Sequence, residues 1–88
     1  MIYFKSKQTT EPSKLASAIA HNIKNSDIEI KCLGPQAVNA AIKGLIIAKK
    51  YTQNEPFNLK FDFFSIEESD EEGNILNVIQ VRVAKDED

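Results

Sequence analysis

Four short segments of this chain alternate apolar with polar side chains, and this alternation constrains the fold more than any other feature. The segments begin near Ile2, Ile28, Phe57 and Ile79. Because successive side chains of a strand point to opposite faces, each segment forms one apolar and one polar face. A sheet covered on both faces has near-continuous apolar runs instead. The pattern therefore predicts a sheet with one covered face and a second face left to water or to a partner.

Two segments with helical periodicity separate the first three strands. In the first, Leu15, Ile19 and Ile23 recur every four residues after Pro12, which predicts a helix that ends near Asn25-Ser26. The second helix is predicted from Gly34-Pro35 to about Lys50, with a buried stripe of Val38, Ala41, Ile42, Leu45 and Ile46.

The predicted order β-α-β-α-β-β gives an α/β two-layer sandwich. It is a single domain over residues 1–88, with a four-stranded mixed sheet and both helices on one face.

The last two strands carry three further predictions. Phe61 and Phe63 would lie on one face of a strand, whereas Phe64 and Ile66 would lie on the other face. We therefore predict a bulge or bend at Phe63-Phe64. Residues 67–74 are predicted to form an acidic loop. Residues 85–88 are predicted to be a frayed tail.

The composition bounds the class of protein. A chain of 88 residues makes one domain, and its apolar runs are too short for a membrane span. The start of the chain lacks the apolar run of a secretory signal. The single cysteine, Cys32, cannot form an internal disulfide, which fits a reducing compartment. We therefore expect a cytoplasmic protein with no membrane contact.

The net charge of −2 conceals a strong asymmetry. Residues 1–50 carry eight lysines and three acidic residues, a charge of +5, and residues 51–88 carry three basic and ten acidic residues, a charge of −7. Such a split suggests a basic surface for a polyanion or two surfaces that attract each other between chains. Ordinary solvated charge at opposite ends of a domain explains it equally well.

The sequence contains few residues that are suited to catalysis. The only histidine, His21, points away from the apolar stripe of its helix, and Cys32 shares the apolar parity of Ile28 and Ile30. No histidine stands at metal-ligand spacing from a cysteine or carboxylate, and the acidic run 67–72 lacks the pattern of a calcium loop. We expect a protein that is not an enzyme and that uses no metal and no cofactor.

The segment Leu33-Gly34-Pro35-Gln36-Ala37 is the best candidate binding site. A glycine turn that opens a helix leaves unpaired N–H groups, here on Gln36 and Ala37, which together with the helix dipole can hold a phosphate. Asn39 and Lys43, four residues apart, could flank that phosphate. Many helices begin with Gly-Pro and bind nothing, so an ordinary helix start remains the alternative.

A second candidate is the set of lysines around the first strand-to-helix turn, Lys5, Lys7 and Lys14, which could contact a phosphate backbone without reading bases. Three other basic residues lie on the polar faces of their strands, namely Lys31, Lys60 and Arg82. Glu29 and Asp62 lie on the same faces. That mixed face is predicted to be solvated and not to bind a polyanion.

The stretches "PSKLASAIAHNI" and "IEIKCLGPQAVNAAIKGLIIAKKY" resemble the stage V sporulation protein S family. The matching positions are Leu15, Ala16, Ala18, Ala20, Gly34, Ala37, Asn39, Ala41 and Lys43, followed by Ile47-Ala48. The resemblance implies an Alba-like fold, similar also to the C-terminal domain of translation initiation factor three. Proteins of that superfamily are typically dimers that bind DNA or RNA through the first strand-to-helix loop, the loop opening the second helix and the last hairpin.

Several positions depart from the family pattern. Thr9 stands where the family has a basic residue, with Lys7 as a substitute two positions earlier, and Gln36 replaces the second glycine. Lys49-Lys50 replaces an Arg-Gly pair, and the hairpin tip is acidic. Any nucleic-acid contact is therefore expected from the basic N-terminal half.

Two functional hypotheses follow. The first is a regulatory protein that binds nucleic acid as a homodimer or higher homo-oligomer, using Lys5, Lys7, Thr9, Lys14, Gly34, Gln36, Asn39 and Lys43. The second is a protein-interaction module that docks a partner through its acidic hairpin or open sheet face.

Overall fold

The computed structural model describes residues Met1–Glu87. Its elements follow the order β1 (Ile2–Ser6), α1 (Pro12–Asn22), β2 (Ile28–Cys32), α2 (Pro35–Tyr51), β3 (Asn58–Ser69) and β4 (Ile75–Asp86). This order confirms the predicted two-layer α/β sandwich. Helix α1 ends at Asn22, about one turn before the predicted end, and residues 23–25 form a turn.

The four strands form one mixed sheet in the order β1-β2-β4-β3. β1 runs parallel to β2, whereas β4 is antiparallel to both of its neighbours, β2 and β3. β1 and β3 are therefore the two edges of the sheet. The parallel pair also places the C-terminal ends of β1 and β2, and hence the loops before both helices, at the same end of the molecule.

The core lies between the helices and one face of the sheet. Ile28 and Ile30 of β2 pair with Val83 and Val81 of β4, and all four side chains are fully buried. The helices add Leu15, Ala16, Ile19, Ala37, Ala41, Leu45 and Ala48, the turn after α1 adds Ile23, and the sheet also contributes Cys32 and Leu59. This is the apolar face that the strand alternation predicted.

Helix α2 packs through small residues, which corrects its predicted buried stripe. Ala41 and Leu45 are buried as expected, but Ile42 is 41% exposed and Ile46 is 53% exposed. A Cβ atom on Gly44 would lie 3.1 Å from Leu15 Cδ2, so the two helices approach closely there. This close approach selects the face with Ala37, Ala40, Gly44 and Ala48 for burial and turns the two isoleucines outward.

The predicted bulge at Phe63-Phe64 is wrong. β3 and β4 pair without interruption from Asn58 opposite Asp86 to Ser69 opposite Ile75. The apolar side chains of β3 move from one face to the other at this point because the face of the sheet that is covered also changes. Beyond Phe63, Ile66 lies on the open face opposite Val78, which is only 6% exposed.

The far part of the β3–β4 hairpin projects beyond the rest of the sheet. Pairing between β2 and β4 stops at Cys32 opposite Ile79, so residues 66–78 extend past the end of β2. We call residues 66–78 the arm and the remaining sheet and helices the body. The predicted acidic loop 67–74 is too long, because residues 67–69 belong to β3 and only residues 70–74 form the loop.

The C-terminal strand is also longer than predicted. β4 continues to Asp86, and Lys85 Nζ donates a hydrogen bond of 2.9 Å to the carbonyl of Lys24 and lies 5.9 Å from the centroid of the Phe57 ring. The predicted frayed tail 85–88 is therefore wrong for Lys85 and Asp86. Asp88 lies outside the described residues.

Candidate nucleic-acid interface

Hydrogen bonds tie the end of β1 to the opening of α2. The N–H of Leu33 donates to the carbonyl of Ser6 at 3.0 Å. The hydroxyl of Ser6, which is fully buried, donates to the carbonyl of Ala37 at 2.8 Å. Ser6 is a functional residue that the sequence motifs do not reveal, although its place on the apolar face of β1 is the signal that marks it. These bonds hold the first strand-to-helix loop beside the start of α2.

The first loop is closed by reciprocal bonds around Thr9. The N–H of Lys7 donates to Thr10 Oγ1 at 2.8 Å, and the N–H of Thr10 donates back to the carbonyl of Lys7 at 3.1 Å. Lys7 and Thr9 are both exposed on this turn. Lys14, also exposed, follows in the first turn of α1 and lies 3.6 Å from the carboxylate of Glu11. Exposed ion pairs of this kind are weak, so Lys14 remains available to another anion.

The opening of α2 only partly matches the predicted phosphate seat. Gly34 has φ 96° and ψ 169°, no side chain caps the helix, and the carbonyl of Gly34 accepts the N–H of Val38 at 3.1 Å. Gln36 is exposed, but Ala37 has no exposed surface. Its N–H group therefore cannot reach a bound phosphate. The prediction of two donors is wrong, because Ala37 packs against the end of β1, and the N–H of Gln36 remains as the donor.

Asn39 and Lys43 lie exposed on the following turns of α2. Lys43 and Ile46 line a shallow groove with Pro12 and Ser13 at the start of α1. The crossing of the two helices thus places Lys43 beside the first turn of α1, which follows the first loop. We use the term basic end for the exposed residues at this end of the body, namely Lys7, Thr9, Lys14, Gln36, Asn39 and Lys43.

Lys5 does not belong to the basic end. It lies on the open face of the sheet, where it lines a hollow with Tyr3, Glu29, Lys31 and Gln80. The period-two alternation that places Ser6 under α2 puts its neighbour Lys5 on the opposite face. The eight predicted binding residues are therefore not all brought together.

Four charged residues of the open face pair with one another, Glu29 with Arg82 and Lys31 with Glu68. Glu29, 8% exposed, accepts hydrogen bonds from Gln80 Nε2 at 3.0 Å and Arg82 Nε at 3.1 Å. The bond to Glu29 raises the pKa of the Arg82 guanidinium. Lys31 forms an ion pair with Glu68 of the arm. Glu29 and Gln80 are buried by this pairing, so the mixed face is less solvated than predicted; that it does not bind a polyanion stays a prediction.

The tip of the arm presents carboxylates at the same end of the molecule as the basic end. Asp70 accepts hydrogen bonds from the side chain of Asn74 at 3.1 Å, from its backbone N–H at 2.8 Å and from the N–H of Glu72 at 2.9 Å. The bonds from Asn74, more than any other contact, lower the pKa of Asp70. Asp70 therefore orders the loop internally, and the carboxylates around it repel phosphate.

The remaining candidates for chemistry are placed as predicted. His21 is exposed, and Cys32 is 2% exposed, where burial raises the pKa of its thiol. Across Met1–Glu87, no three histidine, cysteine or acidic side chains group closely enough to hold a metal ion. Over the same residues, neither helix has the length and apolar character needed to cross a bilayer.

Comparison with known proteins agrees with the resemblance seen in the sequence. The model of the family described as Stage V sporulation protein S (SpoVS) matches residues 3–86. No curated protein matches the chain. Because the family match spans both helices and all but the first residue of the sheet, this protein belongs to the SpoVS family.

Proposed function

We propose that this protein is a non-enzymatic regulator that binds the phosphate backbone of DNA or RNA through its basic end, in the cytoplasm. The observation that carries the proposal is the bonding of Ser6 to Leu33 and Ala37, which joins the first loop to the opening of α2. Membership in a family named for a sporulation protein, and not known as a family of enzymes, supports a regulatory role.

The chemistry of the basic end favours backbone contact over base reading. Its three cations, Lys7, Lys14 and Lys43, extend from different elements, and Thr9, Gln36 and Asn39 add neutral hydrogen-bonding groups around them. Contacts of this kind position a protein on a polyanion without selecting a sequence. Binding should therefore be independent of sequence and should weaken as salt rises, because each phosphate contact releases counterions.

The test is fluorescence anisotropy with labelled duplex DNA and with labelled RNA over a series of salt concentrations. The Lys7→Gln and Lys43→Gln double variant should bind more weakly, and the slope of log affinity against log salt should flatten by roughly two for a duplex. Lys60→Gln is the matched control, because Lys60 is an exposed lysine of β3 outside the basic end. Absence of binding to both nucleic acids at low salt would refute the proposal.

The arm supports a second candidate function, a protein-interaction module. Ile75 is 66% exposed and Leu76 is 50% exposed beside a tip rich in carboxylates, and exposed apolar residues rimmed by charge are typical of protein contacts. Deleting residues 69–72 should then abolish recovery of a partner in a pull-down, whereas the Lys7→Gln and Lys43→Gln variant should retain it. An unchanged set of recovered proteins after the deletion argues against this function.

A further inference from the structure

The open face of the sheet carries a hollow that the proposed function does not use. Its volume is about 280 Å³, and it is lined by Tyr3, Phe4, Lys5, Glu29, Lys31 and Gln80. Small-molecule sites usually enclose about 300–1,000 Å³, so this hollow suits one planar ring system and not a large cofactor. The side chains around it then decide which ring system fits.

Tyr3 provides an aromatic wall of the hollow. It is 70% exposed and lies on β1, which is an edge strand of the sheet. Exposed aromatic rings on the face of a sheet are typical stacking platforms for unpaired nucleobases, because every base has a flat π face. The Tyr3 ring is therefore placed to hold a base over the hollow.

The floor of the hollow presents hydrogen-bond acceptors in a fixed orientation. A carboxylate only accepts hydrogen bonds, so the bond of 3.0 Å from Gln80 Nε2 to Glu29 Oε2 fixes which end of the Gln80 amide faces Glu29. Arg82 Nε, 3.1 Å from Glu29 Oε1, holds the same carboxylate through its other oxygen. Within Met1–Glu87, Gln80 Oε1 accepts no hydrogen bond, and no fully buried side-chain oxygen lacks a partner, so this atom is accessible. The groups left for a ligand are therefore acceptors, on Gln80 and on the 10% of the Glu29 side chain that is exposed.

Two neighbouring acceptors select one base among the common four. On its Watson–Crick edge guanine has two adjacent donors, the N1–H group and the 2-amino group. Adenine and cytosine have one amino group beside a ring nitrogen that accepts, and uracil has one N–H group between two carbonyl oxygens. An acceptor that faces another acceptor in a partly buried site is left unsatisfied, which is costly. The floor of the hollow therefore favours guanine.

Two lysines on the rim of the hollow differ in their availability to a phosphate. Lys31 pairs with Glu68 of the arm. Lys5 is exposed, and within Met1–Glu87 it forms no ion pair. Lys5 is therefore the cation that is available to the phosphate of a nucleotide whose base occupies the hollow. Lys7 of the basic end follows Lys5 by two residues, so a nucleic-acid strand held at the hollow lies close to the basic end.

We propose that the hollow binds a guanine nucleotide, with the base stacked on Tyr3, its N1–H and 2-amino groups donating to Glu29 and Gln80, and its phosphate at Lys5. A duplex hides this edge of guanine in base pairs, so the ligand is a free nucleotide or an unpaired guanine of a single strand. Recognition rests on the base, so this site differs from the polyanion surface that the mixed charges argue against. The inference goes beyond the proposed function, because the basic end contacts phosphates without reading bases, whereas this site reads a base.

The first test is NMR titration of the full chain with guanosine monophosphate and with the RNA pentanucleotide UUGUU. The ligand should shift amide signals of β1, β2 and β4 around the hollow. The same ligands with inosine in place of guanosine lack the 2-amino group and should bind roughly tenfold more weakly, because one hydrogen bond is lost. Equal affinity for the free nucleotide and the pentanucleotide identifies a free nucleotide as the ligand, and tighter binding of the pentanucleotide identifies a single strand. Absence of binding by both, or equal affinity for the guanosine and inosine ligands, would overturn the proposal.

The second test uses variants of the hollow with the better of the two guanosine ligands. Tyr3→Ala should weaken binding roughly tenfold or more, because the stacking platform is lost, whereas Tyr3→Phe keeps the ring and should retain binding. Tyr51→Ala is the matched control, because Tyr51 is 54% exposed at the end of α2, outside the hollow. Thermal unfolding should confirm that all three variants fold. Unchanged affinity of Tyr3→Ala would contradict the proposal.

A third measurement separates this site from the basic end. The Lys7→Gln and Lys43→Gln double variant should bind guanosine monophosphate as the wild type does, and Tyr3→Ala should bind duplex DNA as the wild type does. Failure of the hollow as a guanine site is then distinguishable from failure of the basic end as a phosphate-backbone site. A loss of duplex binding in Tyr3→Ala would show that the two surfaces are one site and would contradict a separate guanine site.

Discussion

The body and the arm bury opposite faces of the same two strands. In the body, Val81 and Val83 of β4 are fully buried beneath the helices. In the arm, Val78 is buried on the other face, opposite Ile66 of β3. The covered face therefore changes where the helical layer ends. The body is stabilised by packing between two layers, whereas the arm depends on contacts within a single hairpin, and we expect the two regions to differ in stability.

The largest expected difference concerns apolar truncation. Ile30→Ala removes a fully buried side chain of the body and should lower the free energy of unfolding by about 2–5 kcal/mol, because it leaves a cavity between sheet and helices. Leu76→Ala, in the arm, removes a side chain that is 50% exposed and should cost only about 0.5 kcal/mol. Urea denaturation of the two variants measures both values. Equal losses would mean that the arm belongs to the cooperative core.

A second comparison uses two glycines at positive φ. Gly34 (φ +96°) opens α2 in the body, Gly73 (φ +85°) lies in the arm loop, and an added Cβ meets no atom within 4 Å at either position. Gly34→Ala should cost about 1–3 kcal/mol of global stability through backbone strain alone. Gly73→Ala carries comparable strain but should appear as faster hydrogen exchange in the arm, with little change in the global unfolding midpoint. A global effect at Gly73 would contradict the independence of the arm.

A smaller effect is expected from the ion pair that joins arm to body. Lys31 and Glu68 contact each other across the open face, with 29% and 36% of their side chains exposed. Lys31→Ala should change the free energy of unfolding by less than about 1 kcal/mol, because partly exposed pairs contribute little. It should nevertheless increase the mobility of residues 66–78 in NMR relaxation, whereas Lys60→Ala should not. Unchanged relaxation would show that the hairpin alone positions the arm.

The smallest effect concerns the titration of the arm tip. The bonds from Asn74 lower the pKa of Asp70, so the folded loop favours the carboxylate form. Its stabilisation should be complete above the ordinary aspartate pKa of about 3.9 and should disappear as the pH falls through the lowered value. Asn74→Ala should return the pKa of Asp70 towards its usual range, measured by NMR titration. Asn54→Ala, at another exposed asparagine, should leave it unchanged.

Much of the fold could be predicted from periodicity, because the pattern of burial repeats along each element. The alternation of Ile28, Ile30 and Cys32 gave the bounds of β2 correctly. The stripe of α2 was mispredicted because hydrophobicity favours Ile42 and Ile46, whereas the close crossing at Gly44 buries smaller residues. The change of apolar face at Phe63-Phe64 wrongly predicts a bulge, because nothing in the sequence of one strand shows where the helical layer ends.

The candidate site could be predicted at the level of loops but not of individual side chains. The parallel pairing of β1 and β2 brings the two helix openings together, as the order of elements requires. The closeness of Lys5 to Lys7 in sequence favours placing both in the site, but Lys5 lies on the open face of β1, whereas Lys7 lies beyond the end of the strand, in the turn. The burial of Ala37 beside Ser6 could not be predicted from local pattern, because the hydrogen bond from the Ser6 hydroxyl to the Ala37 carbonyl joins residues far apart in the chain.

The position of Cys32 has a practical consequence for kinetics. Its side chain lies beneath the helices and opposite Ile79, where the arm leaves the body. Because Cys32 is 2% exposed, a thiol reagent should modify it mainly in molecules that have transiently opened around it. The rate at which Cys32 is modified in the native protein therefore depends on how often the protein opens. The rate of modification of the Cys32 thiol can therefore report motion between body and arm, without any engineered label.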